Sequence, residues 1–226
     1  MKILIAEDDI NIRNGLNDIL SNEGYNVITT TDGNEAVAQF KASSPDFIIL
    51  DIMMPNLSGY EACKQIRKID EDIPIIFLSA KSEEIDKVLG LELGADDFIT
   101  KPFGVHEIIA RIRAITRRCL KKHKQSDTEF AMADLTIYPN QLCAKRESNK
   151  IELSLREVKI LQLLHDNKNH IVDRNMLLDH CWGEHIMPES RTVDQHIAKL
   201  RKNIELDHNN PKIITTVHGV GYKYMG

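Results

Sequence analysis

Short apolar runs alternate with helical patterns through the first 120 residues. Five runs have the length and composition of buried strands: Lys2–Ala6, Asn26–Thr30, Phe47–Asp51, Ile75–Ser79 and Asp97–Thr100. The segments between and after them indicate helices, near 10–23, 34–42, 58–69, 83–92 and 105–119. Because alternating strands and helices are typical of βαβ units, we expect an α/β domain with a doubly wound, five-stranded parallel sheet.

A charged stretch without apolar periodicity, residues 121–128, is the best candidate for a linker. We therefore expect two domains, over 1–120 and 129–226. The first 120 residues carry 20 acidic and 13 basic residues, a net charge of -7, whereas the remainder carry 14 and 16, a net charge of +2. A weakly basic second domain permits nucleic-acid binding, which the acidic first domain would resist.

The second domain begins with short alternating runs that predict three strands: Leu135–Tyr138, Leu142–Lys145 and Lys150–Leu153. Polar capping residues mark the starts of three helices after them: Ser154 (with Glu157 as a capping box), Asp173 and Ser190. The third helix is expected over roughly 191–205. Two final runs, 213–217 and 222–224, enclose a glycine-containing turn and predict a β-hairpin. The second domain is therefore expected to be α+β.

Polar side chains follow several predicted strands of the first domain: Glu7, Asp8, Asp51, Ser79 and Lys101. The carboxyl ends of parallel strands share one sheet edge, where open α/β sheets bind ligands. Clustered carboxylates repel one another, and Mg²⁺ relieves that repulsion. A carboxylate can also attack phosphorus, while Lys101 and Ser79 can stabilise phosphoryl oxygens. Each residue alone has an ordinary structural explanation, but together they predict phosphoryl chemistry at Asp51.

Two other functions fit part of this pattern. A Mg²⁺-dependent phosphatase could use Asp51 as its nucleophile, but it would need a general acid two residues later, and that residue is Met53. A DNA-binding or architectural protein independent of phosphorylation would tolerate loss of the acidic site, yet every part of that site is present. Met53 at that position argues against turnover, so we do not expect an enzyme.

The helix expected over 191–205 has two contrasting sides. Its apolar side carries Val193, Ile197, Leu200 and Ile204, and its opposite side carries Arg191, Gln195, Ala198 and Lys202, flanked by Lys199. A solvated amphipathic helix would show the same pattern. The preceding helix and the following hairpin favour a winged helix-turn-helix, whose third helix enters the major groove of DNA.

The first 120 residues resemble the receiver domain of bacterial response regulators, which has a flavodoxin-like fold. The motifs are Glu7-Asp8-Asp9, Asp51 with Met54-Pro55, Ser79-Ala80-Lys81, and the run from Gly94 to Phe103. The resemblance implies that a sensor histidine kinase phosphorylates Asp51 and that Lys101 contacts the phosphate. It also implies four Mg²⁺-site residues: Asp8, Asp51, Met53 through its backbone carbonyl, and Glu7 in the outer shell.

The resemblance also implies a switch and a dimer. The switch positions are Ser79, where threonine is commoner, and Phe98, where tyrosine is commoner. Seven charged residues would form the face of a homodimer that phosphorylation promotes: Lys87, Glu92, Asp96, Asp97, Glu107, Arg111 and Arg113. The expected pairs between subunits are Asp97 with Arg111, Lys87 with Glu107, and Glu92 with Arg113.

Residues 129–226 resemble the effector domain of OmpR/PhoB-type regulators. The motifs are Leu153–Glu157, Ser190–Ile197, Leu200–Lys202 and Thr216–Tyr222. The resemblance implies DNA contacts from Arg191, Gln195, Lys199, Lys202, Thr216 and His218. Arginine is usual at the position of His218, so the attraction of the wing to the minor groove is expected to be weaker or pH-sensitive. The loop 183–189 would face RNA polymerase.

The chain is expected to work in the cytoplasm without a membrane partner. No stretch approaches the roughly 20 apolar residues of a membrane span, and no signal peptide is apparent at the N-terminus. Four widely separated cysteines favour free thiols over disulfides or a zinc site. Together with these observations, the resemblance implies a cytoplasmic transcriptional regulator that dimerises on phosphorylation and binds repeated promoter sites.

Overall fold

The chain folds into two units in the computed structural model, Met1–Cys119 and Leu120–Gly226. The structure describes residues 1–80, 90, 92–122, 129–182 and 190–226, and of residues 118–122, 190 and 191 it describes the backbone. Within those ranges, no helix is both long and apolar enough to cross a bilayer.

All five strands predicted for the first unit are present with the predicted bounds: β1 Lys2–Ala6, β2 Asn26–Thr30, β3 Phe47–Asp51, β4 Ile75–Ser79 and β5 Asp97–Thr100. They form one parallel sheet in the order β2-β1-β3-β4-β5. Every residue of β3 and β4 is buried, as expected when helices cover both faces. The strand order changes direction between β1 and β3, which places a crevice at their carboxyl ends.

The described helices of the first unit are α1 Ile10–Glu23, α2 Gly33–Ser43, α3 Gly59–Arg67 and α4 Val105–Lys122. Side chains satisfy the first backbone N–H groups of three of them. Asp9 accepts from the backbone of α1, Asp32 from that of α2, and Ser58 forms a capping box with Glu61 at α3. These caps fix where each helix begins after its strand.

The first two residues of the predicted linker, 121–128, belong to α4, which continues to Lys122. Of the helix predicted near 83–92, only Gly90 and Glu92 are described, and both are helical. The rest of that segment, and residues 123–128, lie outside the described residues.

The second unit begins with a four-stranded antiparallel sheet in chain order: β6 Phe130–Met132, β7 Leu135–Tyr138, β8 Cys143–Arg146 and β9 Asn149–Glu152. Three helices follow: α5 Leu155–Asp166, α6 Arg174–Trp182 and α7 Ser190–Ile204. A second sheet has the order β10-β12-β11, built from β10 Ile171–Asp173, β11 Thr215–Val217 and β12 Gly221–Lys223. These elements form a winged helix-turn-helix.

Several local predictions for the second unit are confirmed. Ser154 and Glu157 exchange hydrogen bonds of 2.7 and 3.1 Å as a capping box at the start of α5. Asp173 accepts from the backbone N–H of Met176 at 2.8 Å and so caps α6. The four apolar residues predicted on one side of α7 are all fully buried in the core: Val193, Ile197, Leu200 and Ile204.

Other boundaries in the second unit differ from the prediction. Strand β8 starts one residue later because Leu142 has a left-handed backbone with φ 48°. The hairpin strand β11 starts at Thr215, since the N–H groups of Ile213 and Ile214 donate instead to the carboxylate of Glu205, at 3.0 and 2.9 Å. Short strands β6 and β10 were not predicted, because three residues are too few to show an alternating pattern.

Two glycine-to-alanine substitutions in the first unit should have opposite effects on its stability. A Cβ on Gly59 would lie 2.1 Å from the carbonyl oxygen of Asp51, whereas a Cβ on Gly15 in α1 would meet nothing within 4 Å. Gly59→Ala should therefore destabilise the first unit by about 1–3 kcal/mol. Gly15→Ala, the matched control, should stabilise α1 by about 1 kcal/mol. Chemical denaturation followed by circular dichroism measures both, and equal effects of the two changes would contradict the packing argument.

Candidate functional site

Three carboxylates meet at the carboxyl end of the first sheet. Glu7 and Asp8 directly follow β1, and Asp51 is the last residue of β3, its neighbour in the sheet. Each contributes a carboxylate oxygen to a group whose atoms all lie within 4.8 Å of one another. Glu7 and Asp51 are 1% and 4% exposed, and Asp8 is open to solvent. The convergence predicted from the strand ends is therefore present in the structure.

Lys101 reaches into this cluster from the end of β5. Its Nζ lies 2.7 Å from Oε2 of Glu7 and 3.0 Å from Oδ2 of Asp51. Its backbone N–H donates to the carbonyl oxygen of Ser79 at 2.7 Å, so the lysine is fixed to the end of β4. The four residues that motif reasoning placed around Asp51 are thus brought together.

The cluster has more negative than positive charge. Burial raises the pKa of the Glu7 carboxyl above its ordinary value of 4.5, although the hydrogen bond from Lys101 opposes this. Burial disfavours the Lys101 ammonium, but its hydrogen bonds to Glu7 and Asp51 outweigh that effect and raise its pKa above 10.5. Oδ1 of Asp51 is buried and has no hydrogen-bond partner among the described residues. This set of donors fits a hard divalent cation such as Mg²⁺.

An arginine that the sequence reasoning missed supports the acidic loop. Nη1 of Arg13, in the first turns of α1, donates to the backbone carbonyls of Glu7 and Asp8 at 2.7 and 3.0 Å. Asp9 accepts from the N–H groups of Asn11 and Ile12 at 2.8 and 3.1 Å. These contacts hold the loop from both sides while leaving the carboxylates of Glu7 and Asp8 facing the cluster. The sequence signal for Arg13 was a basic residue one turn into the helix that follows the acidic loop.

The two predicted switch residues are both buried. Ser79 ends β4 with no exposed surface, and Phe98 in β5 is 9% exposed, so its ring already lies inside the core. The movement expected of these side chains remains a prediction. Met53 is 58% exposed two residues after Asp51, and the general acid that a phosphatase would need there is missing.

Both arginines that are predicted to pair between subunits have partners inside the single chain. Nη1 of Arg111 lies 3.0 Å from Asp97, and its Nη2 lies 3.0 Å from Glu107. Nη2 of Arg113 donates to Glu23 at 2.6 Å, a partner that the sequence reasoning missed. The pairing across a dimer stays a prediction.

Two further residues of the predicted dimer face can be placed. Asp96 is 3.6 Å from Arg67 and accepts from the N–H of Ile75 at 2.9 Å, whereas Glu92 is exposed. Lys87 lies outside the described residues. The predicted dimer face thus mixes exposed charges with charges that pair inside the first unit.

The predicted DNA-contacting residues of the second unit lie on its surface. Gln195, Lys199 and Lys202 are exposed on α7, and Thr216 and His218 are exposed on the hairpin that follows. The side chain of Arg191 and the loop 183–189 lie outside the described residues. These positions agree with a helix and a wing that both face a duplex, while the contacts themselves remain predictions.

Four residues that join α7 to the hairpin were not singled out from the sequence: Arg174, Asp194, Arg201 and Tyr222. Asp194 and Arg201 are seven positions apart, so they lie two turns apart on one side of α7. Both contact Tyr222 of β12. The spacing was visible in the sequence, but nothing there identified the tyrosine as their common partner.

Comparisons with known proteins agree with this division of the chain. The family model for the response regulator receiver domain matches residues 3–113, and that for the C-terminal domain of transcriptional regulatory proteins matches 148–224. The alkaline phosphatase synthesis transcriptional regulatory protein PhoP of Bacillus subtilis (strain 168) is 40% identical over 229 residues, which cover 98% of this chain and 95% of PhoP.

Two solved structures are also similar. Response regulator DrrB of Thermotoga maritima, described as an OmpR/PhoB homolog, is 32% identical, with 100% of this chain and 99% of DrrB covered and a TM-score of 0.47. A CheX–CheY complex with BeF3 and Mg²⁺ from Borrelia burgdorferi is 31% identical over 51% of this chain and 88% of that chain, with a TM-score of 0.50.

The raised pKa of Glu7 predicts how pH affects stability. Between pH 4.5 and the raised value, the folded protein holds a proton that the unfolded chain has lost, so the stability due to this group falls as the pH rises through that window. Glu7→Gln cannot ionise. Without divalent cations, the free energy of unfolding of Glu7→Gln should therefore increase relative to that of the wild type as the pH rises from 4.5.

Denaturation by urea at a series of pH values measures this difference. Glu71→Gln, which changes an exposed carboxylate before β4, is the matched control and should follow the wild type. An advantage of Glu7→Gln that stays constant or shrinks with rising pH would contradict the proposed effect of burial.

Proposed function

The chain belongs to the OmpR/PhoB family of response regulators, and from this membership we propose how its two units act. A protein of this family is a phosphorylation-dependent transcriptional regulator, with a sensor kinase and DNA as partners. In our proposal Asp51 accepts a phosphoryl group from the kinase histidine, and the second unit binds repeated promoter sites. The main support is the buried Asp51 carboxylate, 3.0 Å from Lys101 and clustered with Glu7 and Asp8.

The residues around Asp51 have separate roles in this transfer. A carboxylate oxygen of Asp51 attacks phosphorus, and the bond from phosphorus to the donor nitrogen breaks, with its electron pair remaining on the imidazole. Lys101 turns from Asp51 towards an oxygen of the arriving phosphoryl group, while the hydroxyl of Ser79 donates to another. Such groups act mainly by positioning and by neutralising charge. The receiver thus assists its own phosphorylation.

The same carboxylates would hold Mg²⁺. We assign Asp8, Asp51 and the backbone carbonyl of Met53 as its ligands, with Glu7 in the outer shell because Lys101 already pairs with that carboxylate. When bound, the ion neutralises charge on the carboxylates and the phosphoryl oxygens. The buried, unpartnered Oδ1 of Asp51 supports this assignment.

Phosphorylation would then act on the charged surface of the receiver. A phosphoryl group adds up to about two negative charges, and it competes with Glu7 for Lys101. Repacking of Ser79 and Phe98 would bias Arg111 and Arg113 from their partners inside the chain towards partners on a second subunit. The Arg111 pairs are partly exposed and worth about 0–1 kcal/mol each, so their exchange needs little energy. The Arg113–Glu23 pair is largely buried, so its exchange costs more. A shift of a few kcal/mol suffices to change the dominant state.

On DNA, α7 would enter the major groove and the hairpin would lie at the adjacent minor groove. Gln195 is suited to adenine, and Lys199 and Lys202 to guanine edges or phosphates. A receiver dimer would raise the effective concentration of the second DNA-binding unit once the first has bound. We also propose, from family membership alone, that residues 183–189 face RNA polymerase.

The first test of this proposal is phosphorylation in vitro. Incubation with Mg²⁺ and a small phosphodonor should add about 80 Da to the wild type and nothing to Asp51→Asn, as expected for one aspartyl phosphate. Asp18→Asn, which changes an exposed carboxylate on α1, should be modified like the wild type. The phosphorylated protein should also elute as a dimer that binds a duplex selected from a random pool. Normal activation of Asp51→Asn by the kinase would contradict the proposal.

The wing residue His218 gives a second test. Because arginine carries a permanent positive charge, His218→Arg should bind the selected duplex more tightly at low salt. Its plot of log affinity against log salt should be steeper by about 0.9, as expected for one additional phosphate contact. His170→Arg, an identical change at an exposed position before β10, should leave the slope unchanged. If the two variants behave alike, the wing does not lie on the DNA.

A further inference from the structure

Arg201 joins the proposed reading helix to the hairpin. It lies in the second half of α7, and its Nε donates to the carbonyl oxygen of Ile214 at 3.0 Å. Its Nη2 donates to Oγ1 of Thr216 in β11 at 2.8 Å. The guanidinium therefore binds both the backbone that leads into the wing and the side chain of Thr216, the first residue of the wing that is exposed to solvent.

The contact with Arg201 determines what the Thr216 hydroxyl can do. A hydroxyl has one hydrogen to donate and two lone pairs to accept with. Since a guanidinium can only donate, Thr216 must accept from Arg201, and its own hydrogen points elsewhere. A hydroxyl that accepts from a charged donor becomes a stronger donor in turn. Thr216 is thus an exposed donor, held in place, that suits an anionic acceptor.

Tyr222 fixes the same hairpin at a second point on α7. Thr216 and Tyr222 are paired across β11 and β12. The Tyr222 hydroxyl donates to Oδ1 of Asp194 at 2.6 Å, and Nε of Arg174 donates to the same oxygen at 2.9 Å. The guanidinium of Arg201 lies 5.5 Å from the centre of the Tyr222 ring. Because Asp194 and Arg201 are two helical turns apart, the wing cannot slide along α7 without breaking one of these contacts.

We propose that Arg201 is a positioning residue that aims the Thr216 hydroxyl at a phosphate of the DNA backbone. Arg201 itself makes no contact with the DNA in this arrangement. The acceptor is assigned to nucleic acid because Lys199 and Lys202, on either side of Arg201 in α7, are exposed and positively charged. The inference rests on the proposed DNA-binding role of α7 and the wing, and it adds the residue that sets their relative geometry.

The test uses the full-length protein and a duplex selected by the wild type from a random pool. Thr216→Val should lower affinity about tenfold, because a hydrogen bond to a charged phosphate is lost, whereas Thr216→Ser should bind like the wild type. Arg201→Met should weaken binding by a similar factor, and the double variant Arg201→Met with Thr216→Val should be no weaker than either single variant. Such non-additivity is expected when two residues act through one contact.

The salt dependence distinguishes positioning from a direct contact. If Arg201 bound a phosphate itself, Arg201→Met would reduce the slope of log affinity against log salt by about 0.9. As a positioning residue it should leave the slope nearly unchanged. Lys202→Met, at the adjacent exposed residue that is proposed to touch the DNA, is the control that should reduce the slope.

Each result has a defined meaning. If circular dichroism shows that Arg201→Met is unfolded, Arg201→Gln, which is also uncharged, replaces it, and a loss of affinity at unchanged slope is again expected. Additive losses, a slope reduced by a full contact, or wild-type binding by Thr216→Val would overturn the inference. A wild-type protein that selects no duplex would instead overturn the proposed DNA-binding function, so the two failures are distinguishable.

Discussion

The receiver depends on one electrostatic balance, in which the Lys101 ammonium faces the carboxylates of Glu7 and Asp51 at the end of a buried sheet. Buried charges of one sign are costly, and a single lysine offsets only part of the cost. The raised pKa of Glu7, caused by burial, reflects this imbalance. In the proposed mechanism, a divalent cation relieves this imbalance and an added phosphoryl group competes with Glu7 for Lys101. The incomplete compensation of the buried charges is therefore the feature on which the proposal depends.

In the proposed activation, the effect of phosphorylation reaches the surface of the first unit through weaker interactions. Arg111 and Arg113 pair with Asp97, Glu107 and Glu23 inside one chain. The partly exposed pairs of Arg111 contribute little to stability, whereas the Arg113–Glu23 pair is largely buried and costs more to break. In the proposed activation, a change in the packing of Ser79 and Phe98 decides whether the arginines pair inside the chain or with a second subunit.

In the second unit, side-chain contacts hold the hairpin rigidly against α7. Tyr222 is 4% exposed, and its pKa is raised to about 12 by burial and by its hydrogen bond to Asp194. The phenol therefore remains a neutral donor at any physiological pH and fastens the wing to α7. Arg201 adds a second connection through Ile214 and Thr216. A reading helix and a wing fixed to each other can meet two grooves of one duplex without ordering first, which reduces the entropic cost of binding.

The sequence alone determined features that depend on local order and on shared strand ends. Short runs rich in apolar and β-branched residues specified all five strands of the first sheet, and the strand ends predicted that Glu7, Asp51 and Lys101 would converge. Contacts between residues distant in sequence were decided by the tertiary structure, as in the pairing of Arg113 with Glu23, 90 positions away. Strand β10 exists only because β12 lies beside it, and Thr216 is oriented only because α7 brings Arg201 to it. The periodicity of apolar residues indicates which side of a helix or strand is buried. It carries no information about which distant residue a polar side chain will contact.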